Sequence, residues 1–252
     1  MNERLIVWTG RAAWALLPLA AGPALAGAIE AWSAAPRLSV AVALWATWAV
    51  GLVACLVPHP AALTTWRVLA PGAVVVVVGA AVGDRPSAMT TAIAAFVALV
   101  AGGAALSPAT ASVFVNGPAY PNERRYPLRP PGVVLVGPAA LAWLAVLGGP
   151  TAAMLLLATR RWVAGGIAAV AGAAIAAIAG RALHGLSRRW LVFVPAGIVV
   201  HDPFTLADPV LFQKAVIDRL GPAPAEGDIE RVDLTAGALG LALELRLRQP
   251  TG

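Results

Sequence analysis

Apolar residues run without a charged interruption through 12–29, 38–66, 68–83, 86–122, 130–159 and 162–180. A helix needs about 20 apolar residues to cross the ~30 Å hydrocarbon layer of a bilayer, and these runs supply that length. The pattern predicts six spanning helices, at 12–30, 38–57, 68–83, 88–107, 132–158 and 162–183. The third is the shortest, and its centre, Val74 to Val78, favours strand by propensity. A lone strand in lipid would leave its backbone groups unsatisfied, so a helix is expected there too. Gly148-Gly149-Pro150 could turn the chain, but a turn there would draw Arg160 and Arg161 into the bilayer. A long fifth helix, kinked near Pro138 or Pro150, keeps both at its end.

The pattern changes after His184. Trp190 to Val194 and Ile198 to His201 flank Pro195-Ala196-Gly197, which reads as a β-hairpin. Asp208-Pro209 followed by Gly221-Pro222 predicts a helix over 209–220, with Val210, Val216 and Ile217 leaving a strand as the alternative. Leu239, Leu241, Leu243, Leu245 and Leu247 alternate with Gly240, Ala242, Glu244 and Arg246, a period of two that predicts a strand. The order of hairpin, connecting segment and strand over 188–248 resembles the membrane-attached PH-like β domains of bacteria. That resemblance implies a small β domain held at a membrane and assigns no binding residues. The expected fold is an all-α polytopic membrane bundle of about six helices over 1–183. A small α+β, β-rich cytoplasmic tail domain follows over 184–252, too short to bury a large core alone.

Composition agrees with this map. Of the 252 residues, 60% are hydrophobic and 12% charged, against about 25% charged in an average soluble domain. That excludes an ordinary soluble domain, a disordered chain and a disulfide scaffold. The single cysteine, Cys55, permits no internal disulfide. Lys214 is the only lysine beside 17 arginines, and with so much Ala and Gly this points to a GC-rich bacterial genome. The net charge of +6 is not a nucleic-acid footprint, because residues 1–183 carry +7 in the connections between apolar runs while 184–252 carry −1. Lys/Arg bias sets orientation. With the N-terminus inside, nine arginines (4, 11, 67, 124, 125, 129, 181, 188 and 189) fall on the inner side and four (37, 85, 160 and 161) outside. Both termini are therefore expected in the cytoplasm, with the chain in the bacterial inner membrane. Arg4 and Arg11 before an apolar run and Ala24-Leu25-Ala26 behind it share features with a secretory leader, but an uncleaved first span is expected. Trp8, Trp32, Trp66, Trp162 and Trp190 fall near predicted helix ends, where indoles favour the interface, while Trp45, Trp48 and Trp143 lie deeper.

Two stretches are candidates for contact. The sixth helix carries Ala164, Ala168, Gly172, Ala176 and Gly180, small residues four apart that would let another helix approach closely. A second line runs through Gly165, Ala169, Ala173 and Ala177. The 107–131 connection holds prolines at 118, 121, 127, 130 and 131 that forbid a continuous helix. Its Tyr120, Arg124, Arg125, Tyr126 and Arg129 suit anionic headgroups, a partner's carboxylates or a topology-fixing role.

Catalytic signatures are missing. There is no phosphate-binding glycine loop with a following Lys-Ser/Thr and no His-Glu-x-x-His. His59, His184 and His201 are far apart in sequence, and Ser187 lacks the setting of a nucleophile elbow. His201-Asp202 before Pro203 reads as a turn. The predicted spans hold no acid or base at depth apart from Glu30 near an end and the Arg160-Arg161 pair, whereas ion-coupled transport usually needs such groups. No cofactor, metal or nucleic acid is expected. The leading expectation is a non-catalytic accessory, assembly or scaffold subunit that contacts the bilayer, other membrane subunits and possible anionic headgroups. A transporter or lipid-handling protein with a neutral groove comes second. An enzyme comes third, and would need a polar cluster of Arg124, Tyr126 and His201.

Overall fold

The computed structural model describes residues 2–84, 87–224, 232–235 and 242–248. Among the described residues, six helices are long and apolar enough to cross a membrane. They are α1 (Glu3–Ala28), α2 (Ala34–Leu56), α3 (Pro60–Asp84), α4 (Ala88–Leu106), α6 (Gly132–Ala158) and α7 (Trp162–Leu186), with a short α5 (Pro108–Asn116) after α4. Local chemistry sets several ends. Asn2 accepts the Arg4 N–H ahead of α1, and Ser87 accepts the Thr90 N–H ahead of α4. Ser107 closes α4 and caps α5, whose Pro108 loses nothing at a position where an N–H has no partner anyway.

The third span differs from expectation. It begins at Pro60 and has 25 residues, so α4, with 19, is the shortest. Arg67 therefore lies inside α3, about two turns from its start, and the view that the spans hold no charge away from their ends needs correction. Its guanidinium reaches the Ala105 carbonyl at the end of α4, at 3.3 Å. Arg11 does the same for α2, its Nε donating to the Cys55 carbonyl at 2.7 Å. The last carbonyls of a helix lack intrahelical donors and carry the negative end of its dipole, so each arginine meets a preferred site.

The fifth span is continuous through Gly148-Pro150. Its irregularity is a π-turn, Leu135–Ala139, around Pro138. Proline cannot donate to the carbonyl four residues back, and the wider turn accommodates that loss. The helix ends in a Schellman motif, with Arg160 N–H on Leu157 and Arg161 N–H on Leu156. Arg160 takes the left-handed position with φ 63°. The arginine pair thus forms the turn into α7.

The main core lies at the sheet-bearing end of α1, α3 and α4, closed by α5. Trp14, Trp66, Phe114, Leu63 and Val7 are its large, fully buried side chains, and Trp66 stacks on Phe114. Trp66 and Trp190, expected at interfaces, are core residues instead, whereas Trp8, Trp32 and Trp162 are exposed. Along α4, Ala94, Ala98, Ala101 and Ala105 are fully buried, a small-residue face that brings α1 and α3 close. The α6–α7 hairpin packs chiefly on itself. Trp143 Nε1 donates to the Val68 carbonyl at 2.8 Å and Leu147 lies against Gly72, fastening α6 to α3.

Strands β1 (Arg124–Pro127), β2 (Trp190–Val194), β3 (Gly197–His201) and β4 (Val210–Gln213) form one antiparallel sheet in that order. Strands β5 (Ile217–Pro222) and β6 (Leu243–Leu247) form a separate pair. The β2–β3 hairpin has the expected place, with Val194 opposite Gly197. The helix expected over 209–220 is overturned. Val210 to Gln213 pair with Val200 to Gly197, and a turn at 214–216 leads into β5. Val210, Leu211 and Phe212 meet the otherwise open edge of β3, and that pairing outweighs the Asp-Pro helix-start signal. The expected terminal strand is present over Leu243–Leu247, while 239–241 lie outside the described residues.

Candidate functional site

The 107–131 connection and the tail are one structural unit. Ser107 and Pro108 start α5, and after a turn the chain enters β1, which pairs with β2: Arg124 opposite Phe193, Tyr126 opposite Leu191. The tail sheet is thus completed by a strand that comes between two spans. Asn116, last in α5, fixes the joint. Its carboxamide donates to the Arg125 carbonyl at 2.8 Å and accepts the Arg125 N–H at 2.9 Å. The side chain does what a neighbouring strand would do, and it seals the outer edge of β1 at that residue.

Register divides the sheet into two faces. On the inner face, Trp190 and Val192 are buried against the helix core, joined by the partly buried Val194 and Val199. Arg125 lies over Trp190 at 5.5 Å, and His201 stacks on the same indole at 4.9 Å. The outer face presents Arg124, Tyr126 and Phe193. Tyr126 meets Phe193 edge-on at 5.2 Å, and the Arg124 guanidinium stands over the tyrosine ring at 6.0 Å. Tyr126 is 50% exposed and Phe193 36%.

The five candidate contact residues separate accordingly. Arg124 and Tyr126 share the outer face, and Tyr120 is exposed on the preceding turn. Arg125 turns inward, its Nε bonded to Glu123 at 2.7 Å. That bond, with the Tyr120 N–H, holds the Glu123 carboxyl below the usual carboxylate range against a smaller opposing effect of burial. Arg129 is exposed beyond β1 and makes no hydrogen bond or ion pair among the described residues. The cluster needed for an enzyme does not assemble, because His201 is on the face opposite Arg124 and Tyr126.

On α7, Gly172 is buried against Gly149 of α6, so close that a Cβ on either would press into the other backbone. Ala168, Ala176 and Gly180 are partly covered, whereas Ala164 is exposed. The covered line mixes steps of three and four, through Gly165, Ala168, Gly172, Ala176 and Ala179, because strict steps of four drift around a helix of 3.6 residues per turn.

Two features carried no sequence signal. Arg189 and Asp202 form a buried ion pair at the open end of the β2–β3 hairpin, Nη2 to Oδ2 at 2.6 Å, with side chains 4% and 1% exposed. The second carboxylate oxygen accepts the Phe204 N–H, which makes the turn read from the sequence. The other feature is the bond between His184 Nδ1 and Thr64 Oγ1, at 3.0 Å, which joins the end of α7 to the start of α3. For α5 a signal did exist: Ser107-Pro108 is a helix-start pair.

Concavities lie at helix margins. One, of about 450 Å³, is lined by Ala26, Ile29, Ala34, Arg37, Leu38 and Ala41 where α1 meets α2, away from the sheet. Another lies along Gly132, Val133, Val136 and Gly137 at the start of α6. Among the described residues no group of three or more His, Cys, Asp or Glu could hold a metal ion. Comparison with family models, curated proteins and solved structures gives no match.

Proposed function

We propose that this chain is a non-catalytic subunit of a bacterial inner-membrane complex, serving accessory, assembly or scaffold duties, with its sheet and both termini in the cytoplasm. The observation that carries this reading is the outer face of the sheet. Exposed apolar residues on the spans, such as Leu19 and Val163, have lipid to face. Tyr126 and Phe193 lie outside the spans, on the face turned away from the bundle, and an exposed aromatic patch beside a basic group marks a protein-docking surface. Arg124 supplies that group and suits a carboxylate on the partner. The lone helix faces of α6 and α7 leave room for further membrane subunits, and Arg129 can meet anionic headgroups beside them.

The filled core argues against the transport reading. Trp14, Trp66 and Phe114 occupy the space between helices at the sheet end, and the concavities described above are marginal. The test is purification in mild detergent with a photo-crosslinking residue at Phe193, followed by mass analysis. One recurrent protein adduct, lost in Arg124→Glu/Tyr126→Ala and missing from a crosslinker at Thr159, is expected. A monodisperse monomer with no adduct at Phe193 would contradict the proposal.

A further inference from the structure

Arg67 is a cation inside a span, and folding satisfies only part of it. The residues of α3 divide by what they meet. Ala70 and Val74 lie against Gly102 of α4, while the Val68 carbonyl and Gly72 meet Trp143 and Leu147 of α6. At about 100° per residue, Arg67, Pro71, Val75 and Val78 fall between these two lines. Val75 and Val78 are exposed, and Arg67 and Pro71 are half-buried. Helices α4 and α6 both pack on α3 and not on each other. The four residues therefore floor a groove that opens toward the bilayer. One turn before Arg67, Thr64 is bonded to His184 of α7, which closes the groove at its sheet end.

The Arg67 Nε donates to the Ala105 carbonyl at 3.3 Å, and Nη1 and Nη2 make no hydrogen bond or ion pair among the described residues. That leaves the Nη1–Nη2 end of the guanidinium, whose parallel N–H groups fit two oxygens of a phosphate or carboxylate. Depth selects the phosphate. Ala105 is next to last in α4, so the guanidinium is level with the end of a span, where lipid headgroups begin. A cation there, on the floor of a lipid-facing groove, is costly without a counter-charge. Beyond it the floor is apolar: the line from Arg67 through Pro71 and Val75 to Val78 runs about 16 Å along the helix. Both parts of a phospholipid have a place, whereas a free anion would use only the first.

We propose that Arg67 and the groove between α4 and α6 hold one anionic phospholipid, its phosphate on Nη1 and Nη2 and one acyl chain along Pro71, Val75 and Val78. The site rests on the six helices crossing a bilayer and is independent of the docking role of the sheet. The test is native mass spectrometry of the full chain in mild detergent, with equal amounts of dioleoylphosphatidylglycerol and dioleoylphosphatidylcholine. One phosphatidylglycerol adduct is expected, preferred about fivefold over phosphatidylcholine. Arg67→Gln is expected to bring that preference within about twofold. Arg37→Gln, which removes an exposed cation from the first turn of α2 at the other end of the bundle, should leave it intact. Val75→Trp keeps the charge but fills the groove, and should lower the adduct severalfold by displacing the chain. An excess of inorganic phosphate should leave the adduct in place. Equal retention of the two lipids by the native chain overturns the proposal. So does an unchanged preference in Arg67→Gln, an unchanged adduct in Val75→Trp, or displacement by inorganic phosphate. A co-purifying protein that replaces the lipid and is lost in Arg67→Gln overturns it as well. Val75→Trp alone decides the matter if Arg67→Gln fails to fold.

Discussion

Pro18 removes a donor from α1 and frees the Trp14 carbonyl, and Trp48 of α2 fills that place. Its indole N–H donates to the Trp14 oxygen at 3.0 Å, while the Trp14 indole donates to the Trp48 oxygen at 3.0 Å. Gly51 lets the Trp14 ring lie directly on the α2 backbone. Trp48→Phe keeps the bulk and loses the donor, so a loss of about 1 kcal/mol is expected by thermal unfolding in detergent. The buried Arg189–Asp202 pair is a sharper case. Asp202→Ala leaves a guanidinium uncompensated and is expected to cost about 3–5 kcal/mol, read as a lowered Tm. Glu123 is milder: its carboxyl is held low by Arg125, so its contribution is complete above the ordinary glutamate range and fades as pH falls through the lowered value. Glu123→Gln is expected to cost less than about 1 kcal/mol near neutrality, with no further loss in acid. None of these pairings was legible in the sequence. Arg188 and Arg189 are adjacent, as are His201 and Asp202, and only the β2–β3 register decides which faces which.

Elements were read well where one period dominated and poorly where two signals competed. The spans follow from uninterrupted apolar length, and the β2–β3 hairpin from a clear turn. The 209–220 segment carried both a proline-led helix start and β-branched positions, and the open edge of β3 settled it. Strand β1 was hidden because its partner lies more than sixty residues away, across two spans. Asn116→Ala should unseal its edge; faster exchange at the Arg125 amide and a cost of about 1–3 kcal/mol are expected. The α6–α7 hairpin gives a paired comparison. Gly172→Leu places a side chain against Gly149 and should separate the helices, whereas Gly166→Leu points into open space and should be tolerated. Equal Tm values for the two variants would falsify the close Gly149–Gly172 approach.

At the scale of the molecule, six crossings by the long helices would put the start of α1, the α2–α3 turn, α5 with β1, and the sheet after α7 on one side. The 30–33 turn and the 159–161 turn, with Arg160 and Arg161, would be on the other. The arginine count, nine residues on the first side against four on the second, is the reason for expecting the first side to be cytoplasmic. It could not show that the 107–131 connection would enter the tail sheet. The most direct test uses single cysteines and an impermeant maleimide on sealed vesicles, with Cys55 too buried to compete. Ser33→Cys and Thr159→Cys are expected to label from one side, and Tyr120→Cys and Lys214→Cys only from the other. Labelling of Tyr120→Cys and Thr159→Cys from the same side would contradict the six-span arrangement and everything built on it.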